Sequence, residues 1–307
     1  MALCPAYQRA TIATDPASAI LAGDALPPLH ASSSGVSTLL VIDGDSLAHR
    51  AYHALPKSIR GAGGRPANAL VGFGNFLQRL WDTEQPAAVA VGWDTLDVPT
   101  YRHVALPGYQ AGREFDKALL EQLDALPALV ASFGFAYGKA LGYEADDFLA
   151  AAAAKWKGPV VIATSDRDAF QLVSDRVSIL QPVKGVSELA RIGPAEVRER
   201  YGVEPEQVVD FIALRGDGSD RIPGAPGVGP KTAASLLAQY GSLAAALDAG
   251  RFAAVADNLR LYRRIAQMDA GAPLPKLVAS RPDWARAAAH ASELGLNALA
   301  KRLGEHA

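Results

Sequence analysis

A single cysteine, Cys4, is the entire thiol content of this 307-residue chain, so no intrachain disulfide can form and a reducing compartment is expected. No stretch approaches the roughly eighteen consecutive apolar residues that a membrane-spanning helix needs. The opening MALCPAYQRATIATDPAS lacks a basic segment followed by an apolar run and does not read as a secretion signal, so a cytoplasmic location is expected. No internal repeat is present. An excess of either charge is also missing: 30 Lys and Arg stand against 32 Asp and Glu. Such a balance argues against nucleic acid as a partner unless many of the acids are concentrated in one place. What the chain does have is apolar content, 50% of its residues, enough to bury one large core or two smaller ones.

Residues 1–36 mix Ala, Ser, Pro and Gly without hydrophobic period and read as a disordered tail. Order begins at Leu39-Leu-Val-Ile-Asp43, a short apolar run that ends in an acid. Ala87–Val91, followed by Asp94, and Pro159–Thr164, followed by Asp166, repeat the pattern. Apolar runs of this length read as strands buried on both faces. Between them lie helical patterns over 67–81, 116–132 and 144–156, and the alternation predicts an α/β fold with a parallel sheet. In such sheets the ligand site lies outside the carboxyl ends of the strands, which gathers the terminal aspartates. From about 191 the texture turns helical, with starts at Pro194 and Glu204 and further helices expected over 251–268 and 283–304.

Nine carboxylates stand out: Asp43, Asp94, Glu144, Asp146, Asp147, Asp166, Asp168, Asp217 and Asp220. Setting them aside leaves 23 acids against 30 basic residues, a balance of +7 that suits a phosphate-binding surface. Hard cations such as magnesium take oxygen ligands, and two-metal phosphodiester hydrolysis needs a dense group of acids around one cavity. Gly142-Tyr-Glu-Ala-Asp-Asp147 begins a helix, where Glu144 and Asp147, three apart, would share a face. Taken alone, that run is ordinary helix capping, and a lone Asp after a strand is ordinary turn chemistry. Several independent strand ends finishing in acids are harder to attribute to turns.

Pro223-Gly-Ala-Pro-Gly-Val-Gly-Pro-Lys231 leads into a helix. Gly227 and Gly229 let a backbone approach phosphate, Lys231 adds charge, and Thr232 lies in the first turn. The segment is no Walker loop, because the GxxxxGK[ST] spacing is absent. An ordinary tight turn between helices is the competing reading.

In order, LLVIDGDSLAHRAYHALP, GWDTLDVPTYRHVALPGYQAGR, GYEADD, TSDRDAFQLVSD, GDGSDRIPGAPGVGPKTA and YGSLAAAL resemble the 5′-3′ exonuclease domain of bacterial DNA polymerase I and the related flap endonucleases, over roughly residues 38–250. The resemblance implies a stand-alone member of that family with a PIN-like parallel-sheet nuclease core over 37–190. It implies a helix-hairpin-helix (helix-three-turn-helix) module over 191–250 and C-terminal helices over 251–307 that pack on the core. Asp43, Asp94, Glu144 and Asp146 would form one metal cluster and Asp166, Asp168, Asp217 and Asp220 a second, with Asp147 between them, holding two or more Mg2+ or Mn2+ ions. Arg50, Tyr109 and Arg113 would lie near the scissile phosphate, and residues 95–117 would form an arch for a single 5′ strand. Backbone carbonyls of Leu214, Arg215, Pro223, Ala225 and Val228 match a potassium site, and Gly227, Gly229, Lys231 and Thr232 would grip duplex DNA. The implied activity is structure-specific 5′ nuclease action on DNA with a 5′ flap or 5′ end, by a monomer without membrane attachment.

Two positions depart from the family pattern. Gln110 stands where the family has a lysine in YKxxR, and Arg221 where it has a small or amide residue. Gln110 can donate a hydrogen bond but carries no charge. A PIN-type ribonuclease, or a flap-DNA-binding protein of weakened catalysis, are the alternatives.

Overall fold

The computed structural model describes residues 37–96, 98–184 and 188–307; the expected tail, residues 1–36, lies outside them. Strand β1 (Leu39–Asp43) is buried along its whole length. It pairs in parallel with β2 (Ala88–Gly92) on one side and β4 (Val160–Ala163) on the other. A strand covered on both faces must be apolar at every position, which is why these runs lack alternation. Leu39, Val41, Val160 and Ile162 enter one core, and Leu40, Ile42, Val161 and Ala163 the other. Helices therefore cover both faces of the sheet.

The full sheet runs β3-β2-β1-β4-β5-β6. Three of its strands were not visible in the sequence: β3 (Ala136–Gly138), β5 (Val177–Lys184) and β6 (Glu188–Ile192). β6 pairs antiparallel with β5 at the edge, so a hairpin precedes the helical region that was expected to begin near 191. An edge strand is half-exposed and polar on one side, and β5 carries Pro182, so neither shows the apolar run that marked the central strands.

Helices α1 (Gly44–Ala54), α2 (Asn68–Glu84) and α4 (Lys117–Ser132) cover one face. The last two match the expected 67–81 and 116–132. On the other face lie α5 (Ala145–Lys155), α6 (Pro194–Tyr201), α7 (Val208–Arg215), α8 (Pro230–Tyr240), α9 (Leu243–Asp248) and α10 (Ala256–Ala266). The 283–304 pattern is two helices, α11 (Trp284–Glu293) and α12 (Asn297–Gly304), broken at Gly295 (φ 72°). A Cβ there would also lie 2.4 Å from the Ala62 amide nitrogen, so glycine is required twice over. α12 lies against α2 at Gly74, where a Cβ would come within 2.6 Å of Leu299.

Among the described residues, 95–117 holds one short helix, α3 (Tyr101–Ala105), followed by turns. No helix of the described residues is long and apolar enough to cross a membrane.

Candidate active site

β1 lies at the point where strand order reverses, with β2 to one side and β4 to the other. The crevice at the carboxyl ends of these three strands is where a parallel sheet presents loops and helix N-termini to a ligand. It is a cavity of about 650 Å³ whose wall carries Asp43, Asp45, Asp94, Glu144, Asp146, Asp166, Asp168, Asp217 and Asp220. Eight of the nine acids singled out in the sequence meet there.

Each acid has a local reason for its position. Asp43 ends β1 and caps α1, accepting the Ser46 N–H (2.9 Å) and the Thr164 hydroxyl (2.6 Å). Thr164 follows β4, so one hydroxyl ties two neighbouring strand ends. Its oxygen also accepts the Asp166 N–H at 3.0 Å. Asp94, just past β2, accepts the Ala145 N–H at the start of α5 (2.7 Å). The Asp168 N–H closes on Asp166 at 2.9 Å. Asp217 accepts the Ser219 and Asp220 N–H groups (2.8 and 3.2 Å) and the Arg215 guanidinium (2.8 Å).

Burial moves most of these carboxyls upward, because a charged acid in a desolvated wall lacks the water that stabilises it. Asp43 and Glu144 are each pushed to about 7, mainly by burial. Asp45 and Asp146 are raised well above the usual carboxylate range by burial and then by neighbouring acids. Asp94 rises for lack of solvation, as does Asp220. Asp166 and Asp168 are raised by desolvation within the cavity and by the Asp220 and Asp217 charges, although the Asp166 side chain is itself open to solvent. Asp217 is the exception. Burial pushes it up, but hydrogen bonds from Ser219 and Asp220 and the charge of Arg215 hold it below its ordinary value.

Crowded, desolvated carboxylates of this kind are relieved by cations. The donors are oxygens with no thiolate among them, the set preferred by Mg2+, Mn2+ or Ca2+ over softer ions. Among the described residues no three acidic or imidazole side chains form a closed cage. The acid oxygens are instead held by backbone and hydroxyl donors, which suits an ion that keeps several of its waters. On this test the donor set fits hard divalent cations.

Two residues change the expected constellation. Asp147 does not face the cavity. It is fully buried and forms a bidentate pair with Arg102 (2.7 and 2.9 Å), while also accepting the Glu144 and Asp269 N–H groups. Glu144 is the N-cap of α5 with extended backbone (φ −109°, ψ 163°) and pairs with Asp147 as a capping box, but of the two only Glu144 lines the cavity. Asp45, which was not singled out, takes the ninth place on the wall. It is 8% exposed, and its carboxylate accepts the Asp94 N–H at 2.7 Å. The signal for it was available: Asp43-Gly-Asp45 has the same alternate spacing as Asp166-Arg-Asp168.

Arg113 lines the cavity and pairs with Asp220 at 3.0 Å. Gln110 lines it too, donating to Asp220 (3.1 Å) and to the Tyr109 hydroxyl (2.9 Å). Tyr109 is buried beneath the wall and donates to Glu144 (3.0 Å). Arg50 lies half-exposed on α1 outside the cavity wall, one residue beyond His49, which is part of it. Arg167, Arg215 and Tyr201 complete the rim near the second acidic group.

The glycine-rich turn projects Gly227 (φ 73°), Gly229, Lys231 and Thr232 into solvent at the N-terminus of α8, and a Cβ at either glycine would meet nothing within 4 Å. In the preceding loop Leu214 and Ala225 carbonyls accept the Ala225 and Val228 N–H groups (2.8 and 3.1 Å). The Pro223 carbonyl and Arg215 backbone crowd Gly216 and Gly224, both at positive φ. The loop is thus a tight crossing of backbone carbonyls beside the cavity.

A mainly parallel sheet with an acid-lined crevice at its switch point defines an α/β protein with a candidate cation-binding site. Comparison with known proteins narrows this. Residues 38–202 match the 5′-3′ exonuclease N-terminal resolvase-like domain, and residues 203–282 the 5′-3′ exonuclease C-terminal SAM fold. The chain belongs to the 5′-3′ exonuclease family. It is 36% identical over 292 residues to a 5′-3′ exonuclease of Streptomyces coelicolor, covering 86% of this chain and 95% of that one. It is 43% identical over 216 residues to DNA polymerase I of Mycobacterium bovis, and there it spans 24% of the relative's length. The fold is similar to the D15 flap endonuclease of bacteriophage T5 in a complex with DNA and metal ions, with TM-score 0.63, 20% identity, and coverage of 87% of this chain and 98% of that one.

Proposed function

We propose that this chain is a structure-specific 5′ nuclease that hydrolyses DNA phosphodiesters at 5′ flaps or 5′ ends, using Mg2+ or Mn2+. The observation that carries this reading is the convergence of acids from five separate segments on one cavity at the sheet's switch point. Asp43, Asp45, Asp94, Glu144 and Asp146 would hold cations on one side, and Asp166, Asp168, Asp217 and Asp220 on the other. Such cations, when bound, acidify an attacking water and offset charge on the phosphodiester.

The rest of the work falls to the chain itself. Arg113 and Gln110, from the turn over the cavity, donate toward the phosphate oxygens once released from Asp220. Tyr109 holds Glu144 from below through its hydroxyl. Arg167 and Arg215 supply positive charge at the rim. The 191–250 region serves as the duplex anchor, with the Gly227–Gly229 turn, Lys231 and Thr232 meeting backbone phosphate, and the 214–228 carbonyls accommodating K+. The protein acts as a monomer, and its lone cysteine favours a cytoplasmic setting.

A 5′-labelled flap DNA, incubated with Mg2+ or with chelator, tests the reading. Cation-dependent release of the labelled strand is expected. Preferential cleavage of the equivalent RNA flap would instead identify a ribonuclease, and tight binding without cleavage a binding protein.

A further inference from the structure

Arg102 is 3% exposed, and its guanidinium joins three parts of the chain. It forms the bidentate pair with Asp147 and approaches Glu144 at 3.7 Å. Its remaining donors go to backbone carbonyls at the carboxyl end of α10: Nε to Ile265 in the last turn (3.0 Å) and an Nη to Gln267 just past it (3.1 Å). A helix leaves its last carbonyls without internal partners, and a cation there also meets the negative end of the helix dipole. Tyr101 adds a hydroxyl bond to the Gln267 carbonyl (3.0 Å).

Gln171 completes the arrangement from the other side. It lies in the 3-10 turn that begins at Asp168, donates to the Ala266 carbonyl (3.0 Å) and accepts the Met268 N–H (3.0 Å). The carboxyl end of α10 is thus tied to Glu144 through Arg102 and to Asp168 through Gln171. At its other contacts α10 is fixed to α7 by the Arg263–Asp210 pair (2.6 Å), and α7 runs directly into the Asp217–Asp220 loop and the hairpin before α8.

We propose that Arg102 is a positioning residue, and that with Gln171 it makes the end of α10 a strut through which the hairpin region sets the separation of the two acidic groups. The proposal rests on the nuclease reading for its cleavage arm alone. Among the described residues, the cavity-lining group that Arg102 pairs with is the Glu144 carboxylate, so its effect passes through Glu144 and Asp147. The planar fork matters as well as the charge, because one group must serve a carboxylate on one side and two carbonyls on the other.

The test compares wild type, Arg102→Lys and Gln171→Ala in three measurements on the full chain. These are Mn2+ affinity by electron paramagnetic resonance, affinity for a blunt duplex in chelator, and single-turnover cleavage of a 5′ flap across Mg2+ concentrations. Partners that orient ligating side chains typically contribute about 10- to 100-fold to metal affinity or activity. Arg102→Lys should therefore weaken Mn2+ binding about tenfold and shift the Mg2+ dependence of cleavage to higher concentration, with high Mg2+ restoring much of the rate. Gln171→Ala should do the same to a smaller extent, and duplex affinity should hold for both. If Arg102→Lys does not fold, Gln171→Ala decides. Unchanged Mn2+ affinity in a folded variant overturns the proposal, as does an equal loss of duplex affinity and melting temperature with normal Mn2+ binding, which would mark a plain structural clamp. Weakened Mn2+ binding in a protein whose wild type cuts no flap would keep the strut and remove the nuclease reading. A wild type that cuts, with variants that match it in every measurement, would do the reverse.

Discussion

Without divalent cations the protein should lose stability as pH rises, and Asp43 sets the scale. Burial at the end of β1, with Asp94 and Asp166 nearby, lifts its carboxyl from 3.8 to about 7. The folded chain then holds this proton more tightly than the unfolded chain does. No cost exists below the unfolded value, the cost grows between about pH 4 and 7, and it is complete above 7. At 1.36 kcal/mol per decade of acidity, Asp43 alone destabilises the cation-free fold by on the order of 4 kcal/mol at pH 8. Glu144, raised to about 7, acts in the same window and direction. Asp43→Asn removes the charge while keeping an acceptor for the Ser46 N–H. Urea titrations in chelator should show the variant gaining about 3 kcal/mol on wild type between pH 5 and pH 8. Magnesium at about a hundred times its dissociation constant should return about 2.7 kcal/mol to wild type and less to the variant. A stability difference that does not vary with pH, or a variant less stable than wild type at pH 8, would refute the reasoning.

Asp147→Asn should act on the fold rather than selectively on cleavage, since it leaves Arg102 buried without its carboxylate; a loss of about 3–5 kcal/mol in denaturant titrations is expected, and a stable but inactive variant would contradict it. Gln110→Lys should raise the single-turnover cleavage rate about tenfold by placing an ammonium beside the transferring phosphoryl group, and an unchanged rate would show that Arg113 already fills that role. Lys231→Ala should weaken binding to duplex-containing DNA but not to a short single strand, and make the salt slope of binding shallower by about 0.9; equal losses on both substrates would reduce the hairpin to a structural turn.

The parts of the site that the sequence displayed are those where one short segment carries both an element and its function. LLVID is at once a fully buried strand and an acid delivered to its end, and the same holds for the β2 and β4 segments. The turn before α8 announces itself because glycine and proline constrain backbone directly. What stayed hidden depends on partners far away in the chain. Whether Asp147 faces a metal or an arginine is decided by Arg102, 45 residues earlier, and by backbone near 265–269. The i, i+3 spacing brings Glu144 and Asp147 together as a capping box, but it could not say that only Glu144 would face the cavity. The segment 95–117 was read from resemblance rather than from any apolar period, and the short helix α3 within it carried no sequence signal of its own. β5 and β6 escaped notice because an edge hairpin is stabilised by pairing more than by a continuous apolar run.

The two sides of the cavity are unlike each other in a way that bears on how a charged substrate is received. On the β1–β2 side, Asp43, Asp45, Glu144 and Asp146 are desolvated acids whose carboxyls are raised mainly by burial. At the 217–220 loop the acids are already matched with donors: Arg215 on Asp217, and Arg113 with Gln110 on Asp220. Under the proposed function, a phosphate approaching the cavity would compete with Asp220 for Arg113 and Gln110, because one carboxylate and one phosphodiester offer the same donors similar oxygens. Freeing Asp220 in this way would make a carboxylate available to a cation as the phosphate gains its donors. Gln110 strengthens the point. It sits at φ 48°, uncommon for a residue with a side chain, and its own N–H reaches the Asp220 carbonyl at 3.3 Å. The turn that borders the cavity is therefore pinned to the 217–220 loop. Under the proposed function, an uncharged amide would hold Asp220 less firmly than a lysine, trading positive charge at the phosphate for a latch that opens more readily.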